Sequence, residues 1–221
     1  MKRTTITLAG LFASALFAAS ANAALLFQGS SFNTTEVPLT VAEARAAWEA
    51  ELFSFDIDDL DNISGGSPIT SAFGNVYSDT GNGSSITADS DRIRGSRGGA
   101  PLIQFDVVFP APVNAVGFDV LDNDGGEMSL TLTDALTLEE TTFNFTSVAG
   151  SGRTEFFGVI FAPTTFISSL RVGGTDPGGI TRWDNFTTGV SQAAVDAVSA
   201  PGVFSLFGLA LVAFGLRKMR K

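Results

Sequence analysis

The 221-residue chain contains no cysteine and no histidine. Without cysteine there is no disulfide, no thiol nucleophile, no thiolate metal site and no lipoprotein-type attachment point. Without histidine the commonest general base, the Ser–His nucleophile pair and most zinc sites drop out. Lysine is missing from the middle of the chain and occurs only as Lys2, Lys218 and Lys221. Between those ends the positive charge is seven arginines, against 23 acidic residues that all lie between Glu36 and Asp196, a net charge of −16. Such a surface repels nucleic acid and anionic polymers. It suits plain solubility or the binding of divalent cations. The aromatic content is equally lopsided, with one Tyr and two Trp beside 20 Phe.

What is present begins with the two ends. Met1-Lys2-Arg3, an apolar stretch from Ile6 to Ala19 and then Ala21-Asn22-Ala23 form a charged region, a hydrophobic region and an Ala-x-Ala site. This predicts a secretory signal peptide cut by signal peptidase after Ala23. At the other end, Ser199-Ala200-Pro201 is a small-residue break, followed by an uncharged apolar run from Gly202 to Leu216. Arg217, Lys218, Arg220 and Lys221 close the chain. An apolar run that ends in positive charge halts in a bilayer with the basic end in the cytoplasm. Counted back to Ala197, the run reaches the roughly 20 residues a membrane helix needs.

This tail resembles the PEP-CTERM sorting tail of Gram-negative bacteria, with a Pro-containing motif, a membrane helix and an Arg-rich end. Ala200-Pro201-Gly202 stands where that family has Pro-Glu-Pro, so the glutamate is missing and Pro201 alone matches. The resemblance implies a membrane-anchored precursor, processing by an exosortase-type membrane protease, and delivery to the cell surface or extracellular matrix. The expected organisation is a signal peptide over 1–23, one domain over 24–189, a linker over 190–200 and a sorting tail over 201–221. Within the tail the membrane helix covers 202–216 and the basic end 217–221.

The domain reads as β structure after one helix. Thr40-Val41-Ala42-Glu43 is a capping box, and Ala44, Ala47, Trp48 and Leu52 recur at helical spacing over 41–52. Trp48 then packs onto the rest of the domain. From Phe53 the period becomes two: Phe53, Phe55 and Ile57 alternate with polar residues, the pattern of a half-buried strand. The strongest β stretches are Leu102–Phe109, which ends at Pro110, then Val113–Leu121, Met128–Thr133, Thr141–Val148, Phe156–Phe161, Phe166–Val172 and Ile180–Phe186. Gly, Pro, Asn and Asp turns separate them, and no fixed-length repeat is visible. The expectation is a mainly β fold: a single jelly-roll-like antiparallel β-sandwich with a Phe-rich core and one short N-terminal amphipathic helix.

Four motifs also resemble the body of many PEP-CTERM proteins, in the same order: a helix carrying Trp48, then Gly117-Phe118-Asp119, Phe156-Phe157-Gly158 and Asp184-Asn185-Phe186. That resemblance implies a jelly-roll sandwich without catalytic residues.

Three constellations could carry chemistry. Asp122, Asn123, Asp124 and Glu127 place oxygen ligands around Gly125-Gly126, as calcium requires; an ordinary Asn/Asp/Gly hairpin turn has the same composition. Asp56, Asp58, Asp59 and Asp61 form a second acidic cluster. On a strand Asp56 and Asp58 share a face, and must meet solvent, a cation or an arginine, because burial unpaired is costly. Trp183, Asp184 and Asn185, beside Arg182, could form an aromatic platform with polar groups for sugar hydroxyls; the alternative is a core Trp183 with Asp184 and Asn185 closing a turn. Paired carboxylates could also make a glycosidase, but so acidic a chain offers pairs by chance. The reading is an exported, non-catalytic surface or matrix protein, with possible partners in exopolysaccharide and calcium. A carbohydrate-binding module is the second reading and a secreted polysaccharide hydrolase the third.

Overall fold

In the computed structural model, residues 24–31, 37–98, 102–123, 126–147, 153–176 and 178–199 are described. The expected signal peptide with Ala23, and the tail from Ala200 onward, lie outside them. Strands β1 (Leu25–Ser30) and β2 (Leu52–Asp58) flank helix α1 (Val41–Glu49). Then come β3 (Ile69–Thr70), β4 (Val76–Asp79), β5 (Ser85–Ala88), β6 (Ile93–Ser96), β7 (Ile103–Val113) and β8 (Ala115–Leu121). The chain continues through β9 (Glu127–Asp134), β10 (Glu140–Thr146), β11 (Thr154–Ile160), β12 (Ile167–Gly174) and β13 (Ile180–Ser191), and helix α2 (Gln192–Ser199) follows.

The strands form two antiparallel sheets packed as a sandwich. The first runs β1-β11-β8-β13-β6-β5, with β2 added to β13, and the second runs β10-β9-β12-β7-β4-β3. Alternation along each strand sends one face inward. Trp183, Tyr77, Phe105, Phe118, Phe157 and Phe186 are fully buried between the sheets. Their rings meet edge to face or offset, Phe105 on Trp183 at 4.8 Å and Phe118 on Phe186 at 5.2 Å. Such pairs add about 0.5–1.5 kcal/mol each beyond the burial of area.

A second, smaller core lies on the outer face of the first sheet. The capping box forms as expected: Glu43 N–H donates to Thr40 Oγ1 and Thr40 N–H to Glu43 Oε2. Ala44 and Trp48, four residues apart, lie on one side of α1 and are buried with Ala115, Phe156 and Ile160. Trp48 donates its indole N–H to the Val159 carbonyl at 3.4 Å. Strand β11 gives it room with Gly158, where a Cβ would sit 2.7 Å from the indole.

Several expectations are corrected. Strand β2 exists, but Phe53, Phe55 and Ile57 are exposed rather than half-buried, because among the described residues no layer covers this added strand. Strand β7 does not end at Pro110; it runs to Val113 through Pro110 and Pro112. Both prolines sit where pairing with β12 is interrupted, between Val108↔Ser169 and Val113↔Ile167, so their missing N–H groups break no ladder bond. The described part of the expected linker over 190–200, which reaches residue 199, is the end of β13 and helix α2, anchored by Gln192 N–H to the Glu51 carbonyl. Among the described residues no helix is long and apolar enough to cross a membrane; the run 202–216 lies outside them.

Candidate functional site

The outer face of the first sheet beside α1 gathers polar side chains from β8, β13 and β6. In β13, Trp183 points inward and Asp184 outward. Between Asp184 and Thr187 the register with β8 shifts, and Asn185 is the extra residue, at φ 51°. A bulge of this kind re-aims a side chain. Here it turns Asn185 toward β8, where its amide donates to Asp119 Oδ2 at 2.8 Å. The other oxygen of Asp119 receives Arg45 Nη2 from α1, also at 2.8 Å. Arg45 lies over the Phe156 ring at 4.6 Å and donates to Thr187 Oγ1 at 3.3 Å. Asp119 is buried, with both oxygens engaged, so its role is to hold Arg45 and Asn185 in place.

Asp184 is the register partner of Asp119. Its Oδ1 accepts the neighbouring Asn185 N–H, at 2.7 Å. Partial burial raises its carboxyl above the ordinary value, and the charges of Asp119 and Asp91 add to this, against the Asn185 N–H and Arg92, which pull the other way. Arg92 forks onto Asp91 at 2.9 and 3.1 Å. Arg182 joins Asp89 at 3.2 Å to Asp122 at 2.7 Å. Arg94 faces Arg182 across the strand pair. The apolar side of this polar field is β2. Phe55 pairs with Gly189 and Ile57 with Thr187, so both stand on the same outer face, at 40% and 38% exposure. Phe55 is about 13–17 Å from Asp184 along β13, at 3.3 Å per residue.

The sequence-derived candidates fare differently. Trp183 is no platform. Its ring is fully buried against Phe105, Ile103 and Gly95, because strand alternation puts it on the core side. Asp184 and Asn185 do reach the surface together. Asp119, Arg45, Phe55 and Ile57 were not singled out as ligand-binding residues. Asp119 carried a hint as the outward residue of Gly117-Phe118-Asp119, whereas Arg45 is an ordinary polar residue of an amphipathic helix.

The acidic turn does not converge on a cation among its described residues. Asp122 is ion-paired to Arg182, Asn123 is buried with neither side-chain atom hydrogen-bonded, and Glu127 is exposed. Asp124 lies outside the described residues. Among the described residues no group of three or more carboxylates could hold a metal ion. In the second acidic cluster Asp56 is exposed, but Asp58 is buried, contrary to expectation. It accepts Tyr77 Oη–H at 2.9 Å, Asn75 Nδ2–H at 2.8 Å and Leu60 N–H at 3.3 Å. Neutral donors satisfy it in place of the expected arginine, cation or solvent.

No family model matches the chain, and no curated protein matches it. Solved structures of family 29 carbohydrate-binding modules are similar in part. One is a family 29 module at 12% identity, covering 67% of this chain and 97% of that one, with a TM-score of 0.43. Another is a variant complexed with cellulohexaose, at 12% identity, 63% and 93% coverage and a TM-score of 0.43. A variant complexed with mannohexaose shows 12% identity, 65% and 96% coverage and the same TM-score. A likeness this distant carries no argument about the chain's chemistry.

Proposed function

We propose that this is an exported, non-catalytic protein whose jelly-roll-like sandwich binds carbohydrate on the outer face of its first sheet. The observation that carries the reading is the bulge at Asn185. It places a half-buried carboxylate (Asp184), an amide (Asn185) and arginines in one open polar field, with Phe55 and Ile57 exposed alongside. Sugars present hydroxyls and an apolar C–H face, and this surface offers partners to both. Its charged groups are mostly tied to one another, which suits a preformed binding face. The hollow lined by Leu132, Phe143, Phe161 and Ile167 has a volume of about 10 Å³, room for one water rather than a sugar ring.

Export by signal peptide and sorting by a PEP-CTERM-like tail to the surface or matrix of a Gram-negative cell complete the proposal. They rest on the termini alone, with Pro201 and the basic end as the features that matter. Mass spectrometry of the native C-terminus tests them: cleavage near Pro201 supports the reading, and an intact Lys221 end in the cytosol removes it. Binding is tested by affinity electrophoresis in exopolysaccharide gels and by a glycan array, with mannohexaose and cellulohexaose as convenient first probes. Saturable binding that is lost in Phe55→Ala and Asp184→Ala supports the face described. Binding unaffected by both variants, or no binding to any glycan, overturns it.

A further inference from the structure

Strand β2 pairs with β13 on one side, and among the described residues no strand pairs with its other side. An unpaired edge presents a row of backbone N–H and C=O groups that template another strand. Proteins usually blunt such edges with Lys, Pro or a cover. Here the strand reads Leu52-Phe53-Ser54-Phe55-Asp56-Ile57-Asp58, with neither Lys nor Pro; Asp58 is buried, and Asp56 is its one exposed charge. Phe53, Phe55 and Ile57 are 61%, 40% and 38% exposed. Three large apolar side chains on one free edge are unusual on a domain carrying so many carboxylates.

We infer that this edge pairs with the same edge of a second copy, antiparallel about a two-fold axis through Phe55. Charge and apolar pairing together select the register. With Phe55 opposite its own copy, Ser54 faces Asp56 and Ile57 lies opposite Phe53, the residue at which β2 bulges against β13, so no two carboxylates are opposed. An axis at Ser54 also keeps the carboxylates apart, but it sets Ile57 opposite Glu51. Shifting the axis to Asp56 would set the two Asp56 side chains against each other, which destabilises a strand pair. A second copy also meets the apolar strip with an identical strip, so each covers the other, as an isologous contact requires. The axis stands perpendicular to the sheet and joins the two first sheets into one, with both outer faces on the same side. Two polar fields then lie on a single surface. The pairing itself does not depend on what that surface binds.

The test uses the full chain kept in mild detergent. Because the chain is cysteine-free, a single introduced cysteine reports one position. Residues directly opposite on antiparallel strands have Cβ atoms about 4.5–5.5 Å apart, near the span of a disulfide. Phe55→Cys should therefore form a disulfide-linked dimer under mild oxidation. Leu136→Cys, on an exposed hairpin tip at 84% exposure, reports random collision and should not. By sedimentation velocity the wild type should be dimeric, more so as salt screens the net negative charge. Phe55→Lys, folded by circular dichroism, should dissociate the dimer at least tenfold more readily, and mixing it with Phe55→Glu should restore a mixed dimer. A monomeric wild type overturns the inference. So does a dimer indifferent to Phe55→Lys, or equal cross-linking of Phe55→Cys and Leu136→Cys.

Discussion

Asn185 donates its side-chain amide to Asp119 at 2.8 Å from a left-handed backbone position. One residue thus joins the bulge of β13 to β8, and the candidate site depends on it. Asn185→Gly should keep the fold, because glycine accepts positive φ without strain, and should cost about 1–3 kcal/mol for the donor lost to buried Asp119. It should still bind glycan at least tenfold more weakly. Asn185→Ala loses the same donor and should cost about 1 kcal/mol more than the glycine variant, since alanine has a Cβ but no polar group to support a left-handed backbone. Chemical denaturation beside the binding assay checks both variants. Unchanged binding by Asn185→Gly would remove Asn185 from the site.

Asp184 should be a residue held at the expense of stability. Its carboxyl is raised in the folded protein, first by burial and then by the charges of Asp119 and Asp91. The folded state therefore holds this proton to higher pH than the unfolded chain. As pH rises through the region just above the ordinary Asp value of about 3.9, this group lowers stability, and the penalty persists at neutral pH. Asp184→Asn should raise the melting temperature at pH 7, flatten its pH dependence between about 4 and 6, and weaken glycan binding. A lower melting temperature for the variant at neutral pH would contradict this.

Tyr77, hydrogen-bonded to Asp58 inside the sandwich, is a second pH-sensitive group. Burial foremost, and then Asp58, raises the Tyr77 phenol well above its ordinary value. A phenol held neutral by the fold contributes stability that is complete below pH of about 10 and lost above it, as the unfolded chain ionises first. Tyr77→Phe removes a donor from a buried carboxylate and should cost about 1–3 kcal/mol. Equilibrium denaturation at pH 7 gives the number. A change within about 0.5 kcal/mol, the scatter of ordinary surface substitutions, would show the bond to be dispensable.

The α1 interface should behave as a true core. Trp48→Ala should destabilise by about 3–5 kcal/mol. Gly158→Ala pushes a methyl to 2.7 Å from the same indole and should cost about 1–3 kcal/mol. Combining the two should cost less than their sum, because the cavity left by Trp48 accepts the added methyl. Strict additivity in the double-mutant cycle would mean the two do not share that space.

Calcium should add little. Asp122 is held by Arg182 at 2.7 Å and Glu127 is exposed, so the described residues of the turn after β8 do not converge on a cation. Chelator should leave the melting temperature unchanged. A site present at a hundredfold above its dissociation constant would contribute roughly 2.7 kcal/mol, and a shift of that size would restore the calcium reading.

Much of the architecture was legible in the residues themselves. Thr40 and Glu43 specify where α1 begins, because a capping box satisfies donors within four residues of chain. The period-two runs from β7 to β13 give antiparallel strands, because one side of each must be apolar to be buried. The missing histidine, cysteine and central lysine bound the chemistry before any fold is known.

What the residues could not decide depends on what lies opposite. Phe53, Phe55 and Ile57 alternate as a buried face does, yet they are exposed, because β2 is added at an edge that no described residue of the chain covers. Trp183 and Asp184 are neighbours in sequence but sit on opposite faces of β13. Arg45 and Asp119 are far apart in the chain and meet only because α1 packs across β11 toward β8. Pattern follows from local geometry and is written in the sequence, whereas burial and ion pairing need a partner that only the tertiary structure supplies.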